Sequence, residues 1–180
     1  LSNRLVGNAS GLTNNRGGGM GEGWSDWYGI ALQSEPSDPL MGIYTTGAYA
    51  TFQVFGLGST NSYYGIRRFP YAIRAFTGGP LNRPHNPLTA ADVNPGCDVS
   101  DGAFPQTAGT CNQVHNTGEI WSSMLWEVRA RLITRLGPAA GNARAIQLVT
   151  DGLKLTPNTP NFQTARDAII AAAAAASAAP

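Results

Sequence analysis

Apolar side chains recur at three- and four-residue intervals in the stretch "NTGEIWSSMLWEVRARLITRLG". The apolar positions are Ile120, Met124, Leu125, Val128, Leu132 and Leu136. This spacing is typical of a helix that buries one face, and the Gly137-Pro138 pair that comes next predicts its end. Two further helices are predicted at 141–153 and 161–177.

Another helix is predicted near the start of the chain, at 19–33, and prolines at 36 and 39 end it. Much of its buried face is supplied by Trp24, Trp27, Tyr28 and Ala31. The stretch 42–56 is dense in Tyr, Thr, Phe and Val, which predicts one or two short strands. Gly and Pro punctuate 57–112 throughout, which predicts ordered loop. The expected fold is therefore mainly α, with long ordered loops and a few short strands.

Composition narrows the function classes. The chain has 180 residues, of which 42% are hydrophobic and 13% charged, as in a globular protein. Its formal net charge is +1 and it has no Lys/Arg block, so it lacks the basic surface that nucleic acids and anionic membranes require. The alanine run "AIIAAAAAASAAP" is too short to span a bilayer. We expect no nucleic-acid partner and no membrane partner.

The two cysteines, Cys97 and Cys111, lie in a polar stretch, "NPGCDVSDGAFPQTAGTCNQ". Such a loop gains little from burial, and a disulfide would stabilise it by roughly 3 kcal/mol. The C-x-x-C spacing of metal ligands is absent. We therefore predict a Cys97–Cys111 disulfide, with two free thiols as the alternative. A single lysine, Lys154, among many Asn, Gly, Ser and Thr residues also favours a secreted protein.

Two carboxylates, Glu22 and Asp26, lie four residues apart in "GGGMGEGWSDWYG". Side chains at this spacing share one face of a helix. A solvated acidic face is the ordinary explanation of such a pair. Here tryptophans flank the pair and glycines surround the glutamate, as a ligand site with close backbone approach and apolar walls would require. The pair is therefore a candidate site.

The segment "MGEGWSDW" resembles the third-ligand helix of the fungalysin family of secreted zinc metallopeptidases, relatives of thermolysin. "LSNRL" resembles the stretch just after that family's H-E-x-x-H motif, and "GIRRFPY", "NPLT", "VHNTGEIWSSMLWEV" and "FQTARDAII" resemble further family segments in the same order. Single segments such as "NPLT" are weak signals, but their order along most of the chain is specific. The resemblance implies the C-terminal helical lobe of a thermolysin-like catalytic domain.

The same resemblance implies a secreted zinc metalloendopeptidase that hydrolyses protein or peptide substrates with a zinc-activated water. In such enzymes two histidines of H-E-x-x-H and one later glutamate hold the metal. This sequence has no H-E-x-x-H, and its histidines are His85 and His115. We therefore expect residues 1–180 to be a partial catalytic domain, truncated at both ends and inactive alone. An upstream half would complete the site for one zinc ion.

The resemblance also implies roles for individual residues. Glu22 is the expected zinc ligand, and Asp26 the carboxylate that accepts a hydrogen bond from a ligand histidine. His115 is the expected donor to the tetrahedral oxyanion, just before a helix capped by Asn116 or Thr117. The glycines before Glu22 are expected to form a permissive connection to the ligand helix.

Other polar residues receive weaker interpretations. Arg67 falls where "GIR" resembles the relatives' oxyanion-side arginine, but Arg68 beside it leaves the placement open by one residue. Tyr63 and Tyr71 are either polar lining or core. His85 is expected to be a loop residue without a role.

Two other function classes stay open. A non-catalytic binding or scaffold module of the same fold would tend to lose site residues, yet Glu22, Asp26 and His115 are present. A glycosidase would pair Glu22 with Asp26 or Glu119 at roughly 5–9.5 Å. Glu119 is otherwise expected to be structural, as a first-turn acid favoured by the helix dipole. An H-E-x-x-H motif immediately upstream would favour the peptidase.

Overall fold

The computed structural model describes residues 1–52, 59–94 and 111–177, and these form helices joined by irregular segments. The α-helices of these residues are α1 (Ser2–Leu5), α2 (Asn15–Gln33), α3 (Ala48–Thr51), α4 (Ser59–Tyr64), α5 (Val114–Leu136), α6 (Pro138–Leu155) and α7 (Phe162–Ser177). Short 3₁₀ turns lie at Gly7–Ala9, Pro80–Asn82 and Ala90–Val93. The prediction of a mainly α fold is confirmed.

The core forms where the long helices pack in succession, α2 on α5, α5 on α6 and α6 on α7. Trp24 of α2 meets Trp121 of α5 edge-on, with ring centroids 5.4 Å apart. Trp121 in turn stacks on Phe162 of α7 at 5.5 Å. Aromatic rings thus join three of these helices, which accounts for the apolar faces that the sequence pattern indicates.

Helix α5 ends at Leu136 as predicted, and Gly137 alone separates it from α6. Gly137 has φ 85° and ψ 164°, a conformation that favours glycine, and Pro138 opens α6. Because proline suits the first helical turn, α6 begins earlier than the predicted residue 141. The predicted start of α7 is confirmed within one residue.

The start of α5 differs from the prediction. Its N-cap is Gln113, whose side chain accepts from the N–H groups of His115 and Asn116. Asn116 and Thr117, predicted as caps, lie inside the helix, and so does His115. The longer side chain of Gln113 reaches the first free N–H groups, so the helix begins before those residues.

Helix α2 begins at Asn15, and the Asn14 side chain caps it by accepting from the N–H of Gly17 at 2.9 Å. The glycines before Glu22 are therefore helical, and the predicted permissive connection is wrong. Glycine is a poor helix former, so its presence here needs another reason, and the packing of α2 on α5 supplies it.

The backbones of α2 and α5 lie in direct contact at these glycines. A Cβ added to Gly19 would lie 2.6 Å from the Thr117 side chain. A Cβ added to Gly23 would lie 3.0 Å from the carbonyl carbon of Gly118 and closer still to its oxygen, and one on Gly118 would lie 2.8 Å from the nitrogen of Gly23. Only glycine permits this approach, which brings the polar residues beside it together.

The strands predicted at 42–56 are wrong over 42–52. Residues 53–56 lie outside the described residues. Tyr44 and Tyr71 form an isolated antiparallel bridge with N–O distances of 2.9 and 2.7 Å. Gly47, at φ 70°, then opens α3. The turn at Gly47 therefore ends the strand-like pairing after the single pair Tyr44–Tyr71. The loop predicted at 57–112 contains α4 and short 3₁₀ turns, and its part at 95–110 is not described.

Cys111 is completely buried. Cys97 lies outside the described residues, so the predicted pairing stays a prediction. No helix within the described ranges has the length and apolar character needed to cross a membrane.

Candidate functional site

Glu22 and His115, distant in sequence, meet where α2 and α5 touch. The Nε2 atom of His115 lies 3.5 Å from Oε2 of Glu22, and the two side chains are 49% and 42% exposed. The Cβ of Glu22 lies beside Gly118, 2.9 Å from where a Cβ on Gly118 would lie. The glycine contact between the helices therefore places this carboxylate and this imidazole next to one another.

The Glu22 carboxylate lies beside an open cleft of about 320 Å³. The cleft is lined by Leu1, Ser2, Asn3, Leu12, Gly18, Gly21, Glu22 and Ser25. Glu22 is the acidic residue of this lining, and its side chain is half exposed. Its oxygens are thus accessible to a cation or a polar ligand.

Asp26, one turn after Glu22, is buried and held by two donors. Arg67 donates from Nε to Oδ2 at 2.6 Å and from Nη2 to Oδ1 at 2.9 Å. Tyr71 donates its hydroxyl to Oδ2 at 2.6 Å. A carboxylate offers about four acceptor positions, so Oδ2 is fully used and Oδ1 keeps one position. Asp26 therefore keeps one unused acceptor position.

Burial and charge fix the ionisation of the groups around Asp26. Burial alone would lower the pKa of Arg67, but the hydrogen bonds and charge of Asp26 outweigh it and raise that pKa above its ordinary value. Burial, reinforced by the charge of Asp26, raises the pKa of Tyr71 well above 10. At neutral pH the arginine is therefore a cation and the tyrosine a neutral donor, so both hold the carboxylate in one orientation.

The neighbouring Arg68 faces the opposite way, into α5. Its Nε donates to Oε2 of Glu119 at 2.6 Å, its backbone N–H to Oε1 at 2.5 Å, and its Nη2 to the carbonyl of Asn116 at 2.9 Å. Both side chains are at most 2% exposed. Arg67 is thus the arginine beside Asp26.

Glu119 is a structural partner for a different reason from the one predicted. It lies beyond the first turn of α5 and is buried against Arg68. Burial raises its pKa, and the charge and hydrogen bonds of Arg68 oppose that shift. Both of its oxygens are engaged, which removes it as a partner of Glu22 in a glycosidase.

His115 has a second partner besides Glu22. Nε2 of Gln113 lies 2.7 Å from its Nδ1. This contact was not predicted, because His115 was expected just before the helix and not within its first turn. The available signal in the sequence was Gln113 itself, a polar side chain two residues before His115.

His85 and Tyr63 contact each other, away from the group formed by Glu22, Asp26 and His115. The Tyr63 hydroxyl lies 2.8 Å from Nδ1 of His85, whose backbone N–H donates to the carbonyl of Phe76. Burial raises the pKa of Tyr63 to about 12. The pair thus joins α4 to a loop. Tyr71, for which core packing was the alternative, is both core and a donor to Asp26.

A metal would find one ready ligand in this arrangement. Within residues 1–52, 59–94 and 111–177 no group of three His, Cys, Asp or Glu side chains is placed to hold an ion. The half-exposed Glu22 carboxylate, with Nε2 of His115 3.5 Å from its Oε2, fits a single ligand position. Asp26, saturated on Oδ2 by its donors, fits a supporting position.

Comparison with known proteins adds independent information. The model of the family described as fungalysin metallopeptidase (M36) matches residues 1–179. An extracellular metalloproteinase of Aspergillus fumigatus is 36% identical over 186 residues, which cover 94% of this chain and 24% of the relative. Similar proteins of Aspergillus niger and Trichophyton rubrum, also called extracellular metalloproteinases, are 35% and 36% identical with the same coverage. The chain thus spans about a quarter of the length of these curated relatives.

Proposed function

The chain belongs to the M36 fungalysin metallopeptidase family, and from that premise we propose that it forms the helical C-terminal lobe of the catalytic domain of a secreted zinc metalloendopeptidase. The family match over residues 1–179 and the names of the extracellular relatives support this proposal. The remainder of the catalytic domain, including an H-E-x-x-H segment, lies upstream in the longer protein. Protein or peptide chains are the substrates.

Glu22 is the zinc ligand that this lobe contributes. The observation that carries the proposal is the 3.5 Å approach of Glu22 and His115 beside an open cleft. Zinc, when bound, polarises a peptide carbonyl and lowers the pKa of a bound water to about 7. The upstream histidines and glutamate supply the other ligands and the general base.

Asp26 orients one of the upstream ligand histidines. Its Oδ1 atom keeps one acceptor position after Arg67 and Tyr71 have been satisfied. An imidazole N–H in that position would be fixed in tautomer and direction. On this proposal Arg67 acts through Asp26, and the predicted contact of Arg67 with an oxyanion stays a prediction.

His115 donates a hydrogen bond to the oxyanion that forms when the peptide carbonyl is attacked. Its side chain is 49% exposed and its Nε2 lies 3.5 Å from the Glu22 carboxylate, so this nitrogen lies beside the proposed zinc ligand. Loss of one such donor costs about 100-fold or more in kcat.

Metal analysis of two variants of the full-length enzyme tests these roles. Glu22→Gln should lose zinc, whereas His115→Ala should keep zinc and lower kcat by about 100-fold or more. Glu35→Gln, the same change at an exposed glutamate just after α2, is the matched control and should keep both metal and activity. Equal loss of zinc from the Glu22 and His115 variants would refute the assignment.

The 180-residue chain alone should bind zinc weakly and hydrolyse no peptide bonds. One carboxylate cannot replace two imidazole ligands. Isothermal titration with zinc and a peptidase assay with and without chelator measure both properties. Tight stoichiometric binding, or chelator-sensitive proteolysis by this chain, would contradict the division of the site between two segments.

A further inference from the structure

The N-cap of α5 touches the imidazole that the proposed function uses. Gln113 is partly buried and His115 lies two residues later, in the first turn of α5. We propose that Gln113 is a positioning residue, whose side-chain amide holds the His115 ring in the tautomer that carries its proton on Nε2. The proposal rests on the oxyanion role of His115 and deepens it.

The orientation of the Gln113 amide follows from its backbone partners. Its Oε1 accepts from the N–H of His115 at 2.8 Å and from the N–H of Asn116 at 3.2 Å. Backbone N–H groups are donors only, so an amide turned the other way would set donors against donors. The helix start therefore assigns the oxygen to the backbone, and the amide nitrogen must point elsewhere.

That nitrogen points at the imidazole. Nε2 of Gln113 lies 2.7 Å from Nδ1 of His115. An amide nitrogen only donates, so Nδ1 must accept with its lone pair. In a neutral imidazole the other nitrogen then carries the proton. His115 is thereby an Nε2–H donor.

The donor faces the proposed site. Nε2 of His115 lies 3.5 Å from Oε2 of Glu22, and the His115 side chain is 49% exposed. The opposite tautomer would present a lone pair to an oxyanion, which repels it. One glutamine therefore begins the helix, directs the ring and selects the useful tautomer.

Two variants separate capping from positioning. Gln113→Ser keeps an N-cap acceptor of the preferred kind but has no donor for Nδ1. Gln113→Glu keeps the length and the acceptors for the backbone, yet it offers Nδ1 only acceptors. Both should leave the zinc content and the cooperative unfolding of the full-length enzyme near those of the parent.

The test measures tautomer and kinetics in the full-length enzyme labelled with ¹⁵N-histidine, with His115→Ala to assign the resonance. The parent should show an unprotonated Nδ1 and a protonated Nε2 for His115, and Gln113→Glu should show a protonated Nδ1. Gln113→Ser, which frees the ring to move and to take either tautomer, should lose roughly tenfold to 100-fold in kcat, since small displacements of a catalytic donor are costly, with little change in KM. Gln113→Glu tests the protonation of Nδ1 alone, because an imidazolium would keep its Nε2–H donor.

Each outcome bears on one claim. If the ¹⁵N shifts of His115 are the same in both Gln113 variants as in the parent, Gln113 does not position the ring. An unchanged kcat in Gln113→Ser would overturn the positioning role as well. If His115→Ala itself leaves kcat unchanged, the oxyanion role in the proposed function is wrong, while the shifts still report whether Gln113 selects the tautomer. A protonated Nδ1 in the parent would overturn the inference directly.

Discussion

The same substitution at two glycines of α2 should change stability in opposite directions. Gly23 touches the Gly118 backbone of α5, and a Cβ there would lie 3.0 Å from the Gly118 carbonyl carbon. Gly29 lies two turns later on the exposed side of α2, with nothing within 4 Å of an added Cβ. Gly23→Ala and Gly29→Ala therefore differ only in what the new methyl group meets.

The expected change in the free energy of unfolding combines two effects. Alanine is the better helix former by about 1 kcal/mol at either position. At Gly23 the methyl group meets backbone that cannot rotate away, so the overpacking cost is near the upper end of its usual range, about 3 kcal/mol. Gly23→Ala should then destabilise the protein by about 2 kcal/mol and Gly29→Ala stabilise it by about 1 kcal/mol.

Urea unfolding followed by tryptophan fluorescence measures the difference, because Trp24 and Trp121 are packed at the contact between α2 and α5. The expected separation of the two variants is about 3 kcal/mol. If Gly23→Ala proves as stable as Gly29→Ala, the helices do not approach through their glycines, and the reason given for the meeting of Glu22 and His115 fails.

Three further predictions concern the buried groups. Tyr71→Phe should lower the free energy of unfolding by about 1.5–3 kcal/mol, because it removes a hydrogen bond to the charged Asp26. In the same assay Tyr28→Phe should lower it by only about 0.5–1.5 kcal/mol, because the bond that it breaks is a neutral one to a threonine. Since burial raises the pKa of Tyr71 above 10, its contribution to stability is intact below pH 10 and falls as pH rises further; alkaline titration at 295 nm should show its phenolate only as the fold is lost. Reduction of a Cys97–Cys111 disulfide should lower stability by about 2–4 kcal/mol and leave the zinc content unchanged, as metal analysis would show; mass spectrometry finding two free thiols in oxidised protein would exclude this bond.

The elements that depend on local spacing could be predicted from the sequence. The apolar repeat predicted the helix α5, the Gly137-Pro138 pair predicted its end, and the i, i+4 spacing put Glu22 and Asp26 on one helix. These inferences need only the 3.6-residue period and the local chemistry of glycine and proline. The start of α2 was missed because glycine reads as flexible when its packing partner is unknown. The four-residue spacing of Gly19 and Gly23 was a sign of close helix packing.

Contacts between distant segments could not be predicted in the same way. The segment "GIRRFPY" does not show which arginine pairs with which carboxylate. Arg67 contacts Asp26 and Arg68 contacts Glu119 because of how the folded segment lies between α2 and α5. The adjacent arginines were therefore ambiguous by one residue. The cap of α5 was misplaced for a similar reason, since glutamine is a rare cap and only the folded chain places its amide.

The opposed directions of Arg67 and Arg68 make the length of their segment as important as its composition. One guanidinium neutralises a carboxylate of α2 and the next a carboxylate of α5. Inserting or deleting a single residue just before them would leave only one of the two carboxylates opposite an arginine, and the other buried without a partner, at about 3–5 kcal/mol for the broken pair. This chain should therefore tolerate substitutions elsewhere in the stretch more readily than a change of one residue in its spacing.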